Sequence, residues 1–226
     1  MIELFFDMET IPDQSDGAIE KYIALVKPPG QYKKQESIDA WMEENAAAAA
    51  VENWKKSALH GIGGQICSIS WTFGDDEPVG VVGDERDVIL TFFLAIEEQV
   101  HAGEGAFPTI RWIGHNILGF DLRFLFQRCV IRDIAPPVHL PMDARQGSDK
   151  VYDTMQAWAG WKGYVKQDAL LEALGIDMGA DEDVAGVDGS MVWDLYQSGQ
   201  FERILKYNKL DVAKARALYR RMTWQP

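Results

Sequence analysis

Leu4-Phe5-Phe6-Asp7-Met8-Glu9-Thr10 decides how the rest of the chain is read. An apolar run leads straight into two carboxylates spaced i, i+2. Side chains two apart on a strand share a face, so Asp7 and Glu9 point the same way from the end of a strand predicted over Ile2–Phe6. Like charges side by side repel, and burying them is costly without something positive between them. A divalent metal ion is the natural neutraliser. Taken alone, an Asp-x-Glu is more often a strand end with two solvated acids, so the motif gains weight only from partners elsewhere.

Two further acids sit in matching contexts. Asp121 ends the stretch Gly114-His115-Asn116-Ile117-Leu118-Gly119-Phe120-Asp121, after a strand predicted over Thr109–Gly114 and in the first turn of a helix predicted over Gly119–Val130. There it can simply complement the helix dipole. Asn116 suits a cap or turn, or a hydrogen bond to a sugar. Asp211 follows Tyr207 at i, i+4, on one face of a helix predicted over Phe201–Arg221; a core tyrosine above a surface aspartate reads equally well from the pair alone.

Working outward, the alternation in Gln65–Phe73 predicts a half-buried strand and Pro78–Val82 a short one paired with it as a hairpin. Asp87–His101 reads as a strongly apolar helix, Asp168–Leu174 as a helix ended by Gly175, and Val192–Gln197 as the start of the last helical region. Gln35–Lys56 reads as helical, with Ser37 as N-cap and Ala46–Ala50 as its strongest helix-forming run. With prolines at 12, 28 and 29 before it, residues 12–60 are expected to be an insertion or cap on a single domain spanning 1–226. Strands followed by helices interleaved with strands predict an α/β (mixed α+β) domain around one mixed sheet.

Composition sets bounds. The chain has 226 residues, 47% of them hydrophobic, and a net charge of −13. Such acidity argues by itself against a nucleic-acid binder. The basic residues, however, concentrate between Phe201 and Met222, seven against two acids, and that segment is expected to meet phosphates. Cys67 and Cys129 have no CxxC partner, and the four histidines lack zinc-ligand spacing. The longest apolar run is too short to span a bilayer, and the N-terminus enters the first strand without a signal segment. A soluble, cytoplasmic protein with no membrane partner is expected.

Asp7-Met8-Glu9-Thr10, then Asn116-x-x-x-Phe120-Asp121, then Tyr207-x-x-x-Asp211, in this order, resemble the three exonuclease motifs of the DEDD superfamily. These are the DnaQ-like 3′–5′ exonucleases, on a ribonuclease H-like fold with a central mixed sheet flanked by helices. The tyrosine four residues before the last aspartate is similar to the tyrosine subgroup, which includes the exonuclease domains of family-B DNA polymerases and stand-alone proteins related to them. The resemblance runs from Phe6 to about Leu218. It implies hydrolysis of phosphodiester bonds from the 3′ end of single-stranded nucleic acid, DNA rather than RNA, with release of 5′-mononucleotides. It also implies two divalent cations, Mg²⁺ or Mn²⁺, about 3.5–4 Å apart. By the same resemblance Asp7 bridges both ions, Glu9 and Asp211 complete the one that activates water, Asp121 holds the other, and Tyr207 orients the water. Met8, Thr10, Asn116 and Phe120 are then the residues that meet the 3′-terminal nucleotide. No polymerase sequence follows, so any polymerase or repair partner is expected in trans. The 12–60 segment departs from a minimal member of the family.

Two other readings compete. A haloacid-dehalogenase-like phosphatase also begins with an apolar strand into Asp-x-Asp-x-Thr, but Glu9 replaces its second aspartate and Thr10 comes one place early. A non-catalytic nucleic-acid-binding protein on the same fold is the other, although all four acids and the tyrosine are present. Asp153, in Tyr-Asp-Thr, is left as a supporting or structural acid.

Overall fold

The computed structural model describes residues 1–102, 108–179 and 181–225. It divides into two compact units, one made of Met1–Glu9 with Ile66–Pro226 and the other of Thr10–Gln65. The second unit is a helix pair, α1 (Ala18–Leu25) and α2 (Gln35–Lys56). Ala46 and Ala50, one turn apart, bury their methyls with Val26 against Tyr22, Trp41 and Met42. The predicted bounds of α2 hold, but Ser37 is not its cap. Lys34 takes the N-cap position with no side-chain bond. Trp54 donates to the Asp13 carbonyl at 2.7 Å, and the Asp13 carboxylate accepts from Ser15 and Lys21. Helix α1 falls in the stretch that the prolines make read as broken.

The larger unit is built on one mixed sheet. Strands β1 (Ile2–Ile11), β2 (Gln65–Phe73), β3 (Val79–Val82), β4 (Ile110–Gly114) and β5 (Val151–Asp153) lie in the order β3-β2-β1-β4-β5. β4 runs parallel to β1 and β5 parallel to β4, while β3 turns back antiparallel on β2. Six helices accompany it: α3 (Glu85–Ala102), α4 (Asp121–Arg132), α5 (Thr154–Ala159), α6 (Gln167–Leu174), α7 (Val192–Gln197) and α8 (Phe201–Met222). This is the mixed α/β, ribonuclease H-like arrangement.

The period-2 geometry of β1 sorts its side chains between two cores. Leu4, Phe6 and Met8 face α3 and α4, where Phe6 meets Phe92 and Trp112 with ring centroids 5.9 and 5.3 Å away. Burying each such ring stabilises the fold by roughly 1.5–3 kcal/mol. Phe5 points to the opposite side and packs on Val212 and Tyr219 of α8. Asp7 and Glu9 follow Phe5 at the same period, so the α8 side receives both carboxylates. The strand therefore continues through its acids to Ile11 rather than stopping at Phe6.

β2 also departs from the half-buried expectation. Ser68, Ser70 and Thr72 are as buried as Ile66 and Ile69. Its polar row lies under α8, and the Ser68 hydroxyl finds a partner there in Asn208, 3.0 Å away. On the other side, Glu85 at the start of α3 is fully enclosed. Its carboxylate accepts from the Ile66 amide at 2.9 Å, from Arg128 at 2.7 and 2.8 Å, and from Arg132. One carboxylate thereby joins α3, α4 and β2.

Candidate active site

The acids converge at one end of the sheet. Asp7 and Glu9 come from β1, Asp121 from the first turn of α4, and Tyr207 and Asp211 from successive turns of α8. All five line one cavity of about 400 Å³. Ligand oxygens of Asp7, Glu9 and Asp211 lie within 4.8 Å of one another. Asp121 belongs to the same electrostatic cluster, since its charge raises the pKa of both Asp7 and Glu9.

Burial is the largest influence on each of these groups. It pushes Asp7 and Glu9 well above the usual carboxylate range, and the neighbouring acids push them further. Burial raises Asp121 to about 7, even though the main-chain amides of Asp121 and Met8 stabilise its charge and Asp153 opposes it. Asp211 is raised by burial too, but Lys214 and the Tyr207 hydroxyl draw it back. Lys214 bridges Asp211 at 3.0 Å and Asp168 at 2.8 Å. The Tyr207 hydroxyl is shifted upward by burial and by three surrounding carboxylates, so it stays protonated and donates. Such a cluster of hard oxygen donors, under-neutralised by the protein's own cations, fits a divalent cation.

Of the residues expected to meet a nucleotide, Met8, Asn116 and Phe120 line the cavity. Thr10 does not; its hydroxyl donates to the Ala58 carbonyl at 2.7 Å, within the helical unit. Phe120 also leans on Phe124, ring centroids 5.2 Å apart, and so packs against the core as well. Asn116 takes a left-handed conformation, φ 66°, at the tight turn between β4 and α4. Gly114 precedes it because a Cβ there would press into the Phe6 carbonyl.

Two residues support the site: Asn208, which the sequence did not single out, and Asp153, expected as a supporting or structural acid. Asn208, fully buried beside Tyr207, donates through Nδ2 to Asp7 at 2.7 Å while its Oδ1 accepts from Ser68. It holds one oxygen, Oδ2, of Asp7. Asp153, also fully buried, accepts from the main-chain amides of Asn116 at 3.1 Å, Leu118 at 2.9 Å and Gln156 at 3.1 Å. It is at once the N-cap of α5 and the post to which the Asn116–Phe120 turn is tied. His115 adds a second tie. One ring nitrogen lies 2.8 Å from the Thr154 hydroxyl and the other 2.9 Å from the Val165 carbonyl, and burial lowers its pKa.

The expectation for α8 needs revision. Six of its seven basic residues, all but Lys209, have partners among the described residues: Arg203 donates to the Asp183 carbonyl, Lys206 pairs with Asp181 and Asp183, and Lys214 with Asp168 and Asp211. Arg216 reaches the Gly74 and Asp76 carbonyls, Arg220 pairs with Glu3 and Asp75, and Arg221 donates to the Leu174 carbonyl. These cations are engaged by the chain's own acids and carbonyls instead of forming an open phosphate track.

The fold is similar to that of a family B DNA polymerase from the archaeon Pyrobaculum calidifontis, with a TM-score of 0.58 at 14% identity. The alignment covers 99% of this chain and 24% of the polymerase, so the chain spans about a quarter of that protein's length. Comparison with curated proteins finds no match. A family match spans residues 79–225, which hold Asp121, Tyr207 and Asp211 but not Asp7 or Glu9. Because it takes in well over half of the chain, the protein belongs to the family of predicted 3′–5′ exonucleases related to the exonuclease domain of PolB.

Proposed function

We propose that this protein is a metal-dependent 3′–5′ exonuclease that removes nucleotides one at a time from single-stranded nucleic acid, DNA rather than RNA, releasing 5′-mononucleotides. The observation that carries the reading is the convergence of Asp7, Glu9 and Asp211, from opposite ends of the chain, on one buried point. Family membership supports a nuclease. We take 1–226 as one exonuclease domain into which 12–60 is inserted.

Asp7, Glu9 and Asp211 would hold one divalent cation, and Asp7 with Asp121 a second. Bound there, such ions supply an activated water and stabilise the leaving oxygen in an in-line displacement. The chain's own residues do the rest. Tyr207, kept protonated by its surroundings, directs its hydroxyl at the incoming water. Asn208 fixes the rotamer of Asp7. Asn116 and Phe120, on a turn anchored by Asp153, place the terminal sugar and base. A paired terminus must first unstack and unpair, at a cost of roughly a few kcal/mol, which is why single strands are favoured.

The test is digestion of 5′-labelled single-stranded DNA and RNA in Mg²⁺, Mn²⁺ or EDTA, by the wild type and Asp7→Ala. A ladder shortening from the 3′ end, absent in EDTA and in the variant, is expected. Cleavage of a circular single strand, or products growing from the 5′ end, would overturn the proposal. The phosphatase alternative has no support from the family match.

A further inference from the structure

A second cavity, of about 590 Å³, lies beyond the turn that carries Asn116 and Phe120. Three segments build both cavities. The turn gives Asn116 and Phe120 to the first and Leu118 to the second. Helix α5 gives Met155 to the first and Gln156 to the second. The loop after α5 gives Tyr164 to the first and Trp161 to the second. The two spaces are therefore neighbours across one thin wall.

The loop itself presents large aromatic surface to solvent. Trp161 is 81% exposed and Tyr164 74%. Lys162 stands over the Trp161 ring, its nitrogen 4.4 Å from the centroid. The loop is not slack. Gly160 and Lys162 are both left-handed, the Gly163 amide donates to the Gly160 carbonyl at 3.1 Å, and a Cβ on Gly163 would collide with the Ala159 carbonyl. Exposing an indole on a tightly wound turn makes sense if the ring is there to be covered. The local charge points to what covers it. Between Arg145 and Lys166 there are four basic residues against two acids, one of which, Asp153, is buried and consumed by amides, in a chain of net charge −13. Arg145 lines the second cavity and Lys166 the first.

We propose that Trp161, with Lys162 and Arg145 around the second cavity, is a stacking platform for the bases of a single strand whose 3′ end occupies the carboxylate cavity. This rests on the exonuclease reading of that first cavity and adds a subsite to it. Aromatic faces accept any base, and flanking cations follow the phosphates. With six of the seven α8 cations engaged internally, the platform adds a grip on the strand that the acidic molecule otherwise offers sparingly.

The test separates grip from cleavage. Binding of fluorescein-labelled dT12 is measured by anisotropy in EDTA at low salt for the wild type, Trp161→Ala, Trp161→Phe and Trp224→Ala. Trp224 is 91% exposed and lines neither cavity. Hydrolysis of p-nitrophenyl thymidine 5′-monophosphate, which offers one nucleotide and no strand, is followed in parallel with Mn²⁺. Trp161→Ala should weaken dT12 binding about tenfold and leave hydrolysis of the ester unchanged; Trp161→Phe should restore most of the affinity. No dT12 binding by the wild type, unchanged affinity in Trp161→Ala, or an equal loss in Trp224→Ala would overturn the platform. If the wild type binds dT12 through Trp161 yet hydrolyses nothing, the platform stands and the exonuclease reading falls.

Discussion

At the scale of single residues, the cluster is divided into groups that hold charge and groups that aim it. Asp7→Ala removes the carboxylate at the centre and should abolish cleavage at any practical metal concentration. Tyr207→Phe keeps the ring and loses only a donor, so calorimetric Mn²⁺ affinity should stay near wild type while single-turnover rates drop about 10²–10⁴-fold. Asn208→Ala lies between the two. It frees Asp7 to rotate and strands the Ser68 hydroxyl, and outer-shell changes of this sort cost about 10–100-fold in metal affinity or activity. Its loss should shrink as Mn²⁺ is raised, which that of Tyr207→Phe should not. Asp7, Glu9 and Asp211 were picked out by the resemblance of three motifs in order, since the spacing of each motif alone reads equally well as solvated or core residues. Asn208 was not, and Asp153 was legible as a supporting or structural acid but without its partners. Each acts across a sequence gap, 201 residues to Asp7 and 35 to Leu118, that no local pattern encodes.

At the scale of elements, α8 shows how charge density can mislead. Seven basic residues in one helix suggest a phosphate track, yet acids of β1, of α6 and of nearby loops pair with Lys206, Lys214 and Arg220. Arg220 meets two of these acids. It pairs with Glu3 at 2.8 Å and Asp75 at 3.1 Å and stacks its guanidinium near Phe5 and Tyr219. Arg220→Glu should therefore act on stability and leave affinity for dT12 unaltered. A loss of about 2–3 kcal/mol, at about 2–4 °C per kcal/mol for a chain of this size, should lower Tm by roughly 5–10 °C in a thermal melt. The larger elements were readable because their periodicity is long: α2 and α7 lie where expected, and α3, α4, α6 and α8 within two residues. β5 was not, since three residues carry no period and pairing with β4 alone makes Val151–Asp153 a strand. Ser68 of β2 misled for a related reason: polarity suggested solvent where Asn208 of α8 supplies the partner.

At the scale of the whole molecule, the acid cluster ties stability to pH and to metal. Burial holds the Asp121 carboxyl at about 7, against an ordinary value near 4 for an unfolded aspartate. The folded state thus binds protons more tightly than the unfolded one. The stability this contributes is complete below about pH 4 and is lost as pH rises through about 7. In EDTA, Tm should fall between pH 5 and pH 8 by this contribution. Added Mn²⁺ should restore it, with the gain growing toward pH 8 as protons cease to compete; a metal effect independent of pH would contradict the cluster as metal site. The cluster also has a history in time. Glu9 lies on β1 and Asp211 on α8, with strands β2 to β5 between them in the chain. A ribosome must make strands β2 to β5 and half of α8 after Glu9 before those oxygens can meet. A partial chain that lacks α8, however well its sheet has formed, cannot assemble the cluster.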